Sequence, residues 1–259
     1  MSDSSIKSAS HKTTNEVMFG LITSRIDASS SVLDFGAGHG HMCQRLGEFF
    51  ERTGADPKKH LVACEITPEV FRYEKVECRK IGVNSEIPFA AESLSLIYAI
   101  EVLEHTFRPY DFFNEAYSKL RPGGWLLFSV PNSLHFKSRL LFLLTGFAEM
   151  FGPPSTDVKN AGRICGHIMP LNYAYFVYGL KRLGFVDVQF HKDRSKRSSY
   201  GLALMFYPIL RLASAWYDRR LKAYDHEVWL ENRSVVNRVN RLDMLSSRSC
   251  IVVARKPCR

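Results

Sequence analysis

The 259-residue chain is 46% hydrophobic and 24% charged, a balance that gives one sizeable core and excludes a disordered or fibrous polymer. Its six cysteines, Cys43, Cys64, Cys78, Cys165, Cys250 and Cys258, are scattered without close pairs, which excludes a zinc ribbon or a disulfide framework and points to a reducing, cytoplasmic compartment. The net charge of +9 favours an anionic partner: nucleic acid, a membrane face or a phosphorylated substrate.

Residues 1–14 are rich in Ser, Lys and Thr and lack an apolar segment, so they carry no secretory signal and are expected as a flexible tail before a single domain over 15–259. A helix over 15–26 leads into a first strand at 31–35. There the chain reads Val32-Leu33-Asp34-Phe35-Gly36-Ala37-Gly38-His39-Gly40-His41, an apolar strand that passes an aspartate and breaks into alternating glycines before a helix over 42–50. Glycines at this spacing let the chain turn sharply and let a ligand lie against backbone, with the first-turn N–H groups of the helix facing it. The pattern points to a nucleotide-type site. It does not fit the dinucleotide fingerprint, which wants a third glycine three places after the second; here Gly40 comes two places after Gly38 and His41 takes the fingerprint position, so a dehydrogenase is disfavoured.

Residues 60–65 are a short apolar run ending in an acid and predict the second parallel strand, with Glu65 at its tip. A carboxylate there offers two oxygens side by side, suited to a pair of ribose hydroxyls. A helix is expected over 68–81, with Pro68 in its first turn. Residues 94–100 predict a buried strand that delivers Glu101-Val102-Leu103-Glu104-His105 at its carboxyl end, where open α/β sheets bind ligands. An amphipathic helix follows over 109–120, ended by Arg121-Pro122-Gly123-Gly124, and a fifth strand over 125–130 precedes Pro131-Asn132. Further on, residues 170–183 predict a helix, 185–191 a sixth strand and 249–254 a last strand antiparallel to its neighbour.

Over about residues 31–190 these motifs resemble those of the class I S-adenosylmethionine-dependent methyltransferases. The resemblance implies an α/β fold: a doubly wound, Rossmann-like sheet of seven mostly parallel strands with a last antiparallel strand and helical insertions. It also implies S-adenosyl-L-methionine as cofactor. Asp34, Gly36, Ala37, Gly38 and Gly40 would hold its methionine end and ribose, Glu65 and Ile66 would meet the ribose side, and Glu101 would line the same crevice. Family members often carry an aspartate just before a Leu-Pro-Phe to contact the adenine amino group. This chain has none, so Asn84 or Ser85 would have to serve.

Methyl transfer needs an aligned nucleophile and, for a hydroxyl, removal of a proton. Glu101, Glu104 and His105 are spaced to share one face of a helical turn, and two carboxylates with an imidazole make a site for a divalent ion, Mg, Mn or Zn. The Glu-x-x-Glu-His arrangement resembles that of the ubiquinone-biosynthesis O-methyltransferases and of the small-RNA 3′-end 2′-O-methyltransferases, with His167 as the further ligand. Without a metal, His105 is the first choice of general base and His167 the second, with Glu104 beside them.

Two stretches read as insertions. Residues 133–166 hold leucines and phenylalanines flanked by bases, too short and charged to span a bilayer, and suit a lid or a membrane interface. Residues 192–248 begin basic, turn apolar from Leu202 to Trp216 with Pro208 in the middle, and carry Arg219, Arg220 and Lys222 beyond, as a lid, a membrane contact or a homodimer contact would. The leading expectation is O-methylation of a small-molecule or lipid-linked hydroxyl (quinol, phenol, sugar or natural product), cytoplasmic or peripheral on the inner membrane face. An RNA 2′-O-methyltransferase is the alternative, although no RNA-recognition motif is present, and a catalytically silent binding protein of the same fold is another.

Overall fold

The computed structural model describes residues 6–82, 86–157, 159 and 166–258. In chain order, α1 (Lys12–Thr23), β1 (Val32–Phe35), α2 (His41–Arg52), α3 (Pro57–His60) and β2 (Leu61–Glu65) are followed by a 3-10 turn at Pro68–Val70 and by β3 (Cys78–Lys80). Next come β4 (Leu94–Ile100), a 3-10 turn at Leu103–His105, α4 (Pro109–Lys119), β5 (Leu120–Pro131), α5 (Phe136–Thr145), α6 (Tyr173–Arg182) and β6 (Val186–Lys192). The chain closes with α7 (Arg197–Tyr224), α8 (His226–Val239), α9 (Leu242–Ser246) and β7 (Ser249–Arg255).

The strands form one seven-stranded sheet in the order β3-β2-β1-β4-β5-β7-β6. From β3 to β5 all neighbours are parallel. β7 runs against β5: Asn132 N–H bonds to Arg248 O beyond one end, and Lys256 N–H to Gly124 O near the other, so the partner numbers run in opposite directions. Strand order reverses between β1 and β4, which opens the crevice where doubly wound sheets take ligands.

Two compact units make up the chain: Met1–Val130 with Gly179–His191 and Ile251–Arg259, and Pro131–Tyr178 with Lys192–Cys250. The segments expected as insertions, 133–166 and 192–248, fall inside the second.

In the first unit, side chains of β1 alternate between the two faces of the sheet, as the pleat requires. Leu33 and Phe35 face α4, where Phe35 meets the Phe112 ring at 4.6 Å and Phe113 meets Phe128 at 5.2 Å. Val32 faces α1 and α2 in a core with Met18, Ile22, Leu46 and Phe50, all of them buried. Asp34, two residues on, must face the same way as Val32.

Several expectations are corrected. Residues 68–81 are not a helix: beyond Val70 the chain makes a turn in which Val76 N–H meets Tyr73 O, Tyr73 and Val76 are buried, Glu77 O takes a bond from Ala63 N–H, and Cys78–Lys80 becomes the sheet's edge strand. Strand pairing and these two apolar anchors outweigh a helix-compatible spacing. The first helix starts at Lys12 rather than 15, because His11 caps it and the Asn15 amide ties down Ser8, Ser10 and His11. Residues 6–10 are therefore anchored rather than part of a loose tail, with Ile6 N–H on Gln44 Oε1 at 2.9 Å. Arg121-Pro122-Gly123-Gly124 does not merely end a helix but bulges within β5: the register steps from Leu94 opposite Leu120 to Leu96 opposite Trp125. Gly123 carries it at φ +78°, in the left-handed region.

In the second unit, Asn132 is buried and its amide donates to Met244 O and Ser247 O, 2.8 and 2.9 Å away. His135 caps α5 and is buried; its Nδ1 accepts from Ser138 N–H and Ser199 Oγ, and its Nε2 lies 3.3 Å from Glu149, which also binds Lys196. Burial pushes the His135 pKa down to about 4, so the ring is neutral. Ser199, His135 and Glu149 line up like a nucleophile, base and orienting acid, but Ser199 is wholly buried and no substrate reaches it. α7 continues through Pro208, whose missing donor falls on an exposed face where water can serve the freed carbonyl. No helix among the described residues is long and apolar enough to cross a membrane. Cys43, Cys64, Cys78 and Cys258 are unpaired thiols, and Cys165 lies outside the described residues.

Candidate functional site

At the carboxyl end of β1 the chain folds back over β2. Gly36 and Ala37 N–H both donate to Cys64 O, at 2.9 and 3.1 Å. Gly38 N–H then donates to Glu65 Oε2 at 2.7 Å, and the second oxygen of Glu65 takes Ile66 N–H at 2.8 Å. Oε1 also takes Thr67 N–H at 3.4 Å, so Oε2 keeps the further lone pair for a ligand donor. Ile66, half exposed, offers an apolar surface beside it.

The glycines serve different ends. Gly36 and Gly38 both have positive φ, +76° and +52°. A Cβ on Gly36 would strike the Val102 side chain at 2.5 Å, so this glycine is needed for packing. A Cβ on Gly38 would meet nothing within 4 Å, which marks open space against backbone. Gly40 heads α2 with no side-chain cap, leaving first-turn N–H groups of that helix turned toward the same strand end.

Asp34 is placed beneath this turn rather than at its surface. It is 4% exposed, opposite Tyr98 on β4, and takes a bond from Cys43 Sγ on α2 at 3.2 Å and one from Tyr98. Burial raises its pKa to about 7, against the pull of those two donors and with Glu65 adding to the rise. Cys43 and Tyr98 were not legible as site residues; their only signal was a thiol and a phenol in otherwise apolar element faces.

After β4, Glu101 has φ +54°, a strained conformation for a residue with a side chain. Ser129 on β5 holds it there, accepting Glu101 N–H and donating Oγ–H to Oε1 at 3.1 Å. Ser129 too was missed by sequence reading, though it is the one hydroxyl in Trp125-Leu126-Leu127-Phe128-Ser129-Val130. The helical turn expected to carry Glu101 covers only Leu103–His105, so Glu101 does not share a helical face with Glu104 and His105. Glu104 is buried, and burial together with neighbouring Glu101 raises its pKa well above the ordinary carboxylate value. His105 is exposed.

His167 belongs to the second unit. Its Nδ1 lies 2.9 Å from Met150 O, and since a carbonyl can only accept, Nδ1 carries a proton. The ring rests on Phe151. Asn84 and Ser85, the expected adenine contacts, lie outside the described residues.

Comparison with known proteins agrees with this architecture. The profile of the methyltransferase domain family matches residues 12–169. A probable S-adenosylmethionine-dependent methyltransferase of Mycolicibacterium smegmatis is 30% identical over 123 residues, 47% of this chain and 46% of that protein. Erythromycin 3''-O-methyltransferase of Saccharopolyspora erythraea is 27% identical, over 63% of this chain and 53% of that one. The ubiquinone biosynthesis O-methyltransferase of Hydrogenovibrio crunogenus is 26% identical, over 44% and 47%. The chain thus spans about half the length of the curated relatives it matches. In fold, it resembles a SAM dependent methyltransferase from Archaeoglobus fulgidus with a TM-score of 0.55 at 15% identity, covering 93% of this chain and 94% of the other. With a family match over more than half its length and this sheet order, the chain belongs to the methyltransferase domain family, as a class I S-adenosylmethionine-dependent methyltransferase.

Proposed function

We propose that this chain transfers the methyl group of S-adenosylmethionine to a hydroxyl oxygen of a small-molecule or lipid-linked acceptor. The observation that carries the cofactor half is the open space at Gly38, with Glu65 beside it and uncapped N–H groups of α2 behind. Glu65 would accept from the ribose hydroxyls, Ile66 would cover the base, and the α2 terminus would meet the cofactor's carboxylate. Asp34 supports the turn from below, and Glu101, fixed by Ser129, closes the side toward β4.

Oxygen as the acceptor atom is supported by two relatives named for O-methylation and by imidazoles suited to receive a hydroxyl proton. In the step, the acceptor oxygen bonds to the methyl carbon as the sulfur–methyl bond breaks, S-adenosylhomocysteine leaves, and a base takes the proton. His105 is the first candidate. His167, whose Nδ1 donates to Met150 O, is the second. Glu104, buried and with its pKa raised, would orient neighbouring groups.

A divalent ion on Glu101, Glu104 and His105 would polarise the hydroxyl. The residues fit one only in part, because Ser129 holds Glu101 and burial raises the Glu104 pKa, which opposes the ionised form a ligand carboxylate needs.

Calorimetry with S-adenosylmethionine, followed by transfer of a labelled methyl group to quinol, phenol and sugar acceptors, tests the reading. Cofactor binding without transfer to any hydroxyl would instead indicate a silent binding protein. The net charge of +9 favours the RNA alternative, and labelled methyl appearing on RNA at ribose 2′-oxygen would replace the small-molecule reading.

A further inference from the structure

α5 and α7 pack together in the second unit: Phe136 stacks on Phe206 at 5.4 Å, and Lys137 N–H donates to Ser199 Oγ. Both leave apolar surface uncovered. The end of α5 is apolar all round, from Leu140 through Leu144, with Phe142, Leu143 and Leu144 at 59%, 79% and 72% exposure. Five consecutive exposed large hydrophobics are a liability in a water-facing helix unless something receives them. On α7, Met205, Ile209, Leu212 and Trp216 recur at helical spacing and form an exposed stripe opposite the packed side that carries Ala203 and Ser214.

The exposed charge on these two helices has one sign. Lys137, Arg197, Arg211, Arg219, Arg220 and Lys222 are exposed. The one acid on either helix, Asp218, is occupied by the Trp229 indole N–H at 2.9 Å. Arg139, the remaining base of α5, is drawn inside, where it donates to Leu134 O, Asn240 and Val239 O. Arg220 lies over the Trp216 ring, 5.3 Å from its centre, so a cation and an indole sit together at the edge of the stripe.

From this we infer that α5 and the outer face of α7 form a docking surface for an anionic lipid bilayer, with Leu143 and Leu144 entering the acyl boundary and the bases meeting headgroups. A second copy of this chain is disfavoured as occupant, since a two-fold contact would set basic flank against basic flank. An anionic bilayer supplies both an apolar layer and the opposite charge, and an indole beside a base suits the headgroup level. Neither helix crosses the membrane. The inference goes beyond the proposed reaction and holds whatever molecule is methylated.

The test is co-sedimentation of the full chain with vesicles of phosphatidylcholine alone and of phosphatidylcholine with equimolar phosphatidylglycerol. Binding is expected to the anionic vesicles and to weaken with salt. The double variant Leu143→Glu/Leu144→Glu should bind about tenfold more weakly or worse, and Arg219→Glu/Arg220→Glu should lose the preference for the anionic lipid. All four side chains are exposed, and unchanged circular dichroism would confirm that both variants fold. Undiminished binding by the leucine variant, or equal binding to neutral vesicles, would overturn the proposal. So would absence of vesicle binding together with a concentration-dependent dimer, seen by sedimentation, that the leucine variant abolishes.

Discussion

Gly38 and Glu65, 27 residues apart in sequence, are joined by a 2.7 Å bond from the glycine N–H to the carboxylate that ends β2. One contact thus fixes the glycine turn and aims the acid beside it. A ligand entering over Gly38 meets backbone and carboxylate together.

That relationship separates two glycine variants. Gly38→Val fills the open space and should abolish S-adenosylmethionine binding by calorimetry. Gly36→Ala drives a Cβ into Val102 and should lower the thermal midpoint instead. Glu65→Gln should weaken cofactor binding by about 1.5–3 kcal/mol, the range for a hydrogen bond to a charged group. Undiminished binding in both Gly38→Val and Glu65→Gln would remove the cofactor assignment.

Asp34 predicts a pH dependence of stability. Its folded-state pKa of about 7 lies above the ordinary 3.8, so the native state keeps a proton that the unfolded chain sheds. The associated stability is complete below pH 3.8 and is lost as pH rises through about 7. Asp34→Asn, uncharged at every pH and still able to accept from Cys43, should therefore gain stability over the parent by a few kcal/mol at alkaline pH and by little in acid. Urea unfolding at both extremes reads this directly. An equal difference at the two would show that Asp34 does not titrate abnormally.

His105→Ala and His167→Ala address the base. Loss of a general base lowers turnover by roughly a hundredfold to ten-thousandfold. Cofactor affinity should be retained in both variants. If a chelator leaves the parent's rate unchanged, the ion is unnecessary and the imidazoles keep their role. A rate lost to chelator and restored by one divalent metal would assign the ion instead.

Phe112 tests the packing beneath the site. Buried between Phe35 and Phe113, it should cost about 3–5 kcal/mol when truncated to alanine, measured by chemical denaturation. A loss under about 1 kcal/mol would mean that α4 can collapse into the space.

The amino-acid order alone determined the strand–glycine–helix unit at Val32 to His41, the acid ending β2, the buried strand before Glu101 and the antiparallel last strand. These features are local: periodicity of apolar residues, and glycines where backbone must turn. What only the tertiary structure decided is which distant groups meet. Asp34 faces α2 because the pleat sets its side and Cys43 and Tyr98 receive it, partners 9 and 64 positions away. Residues 68–81 lost their helix to an edge pairing with β2 and to two buried side chains. Ser129 holds Glu101 in its left-handed conformation only because β4 and β5 run side by side. The Nδ1 proton of His167 was placed by a backbone carbonyl 17 residues away. In each case the deciding energy is a contact between segments far apart in the chain, which no window of sequence contains.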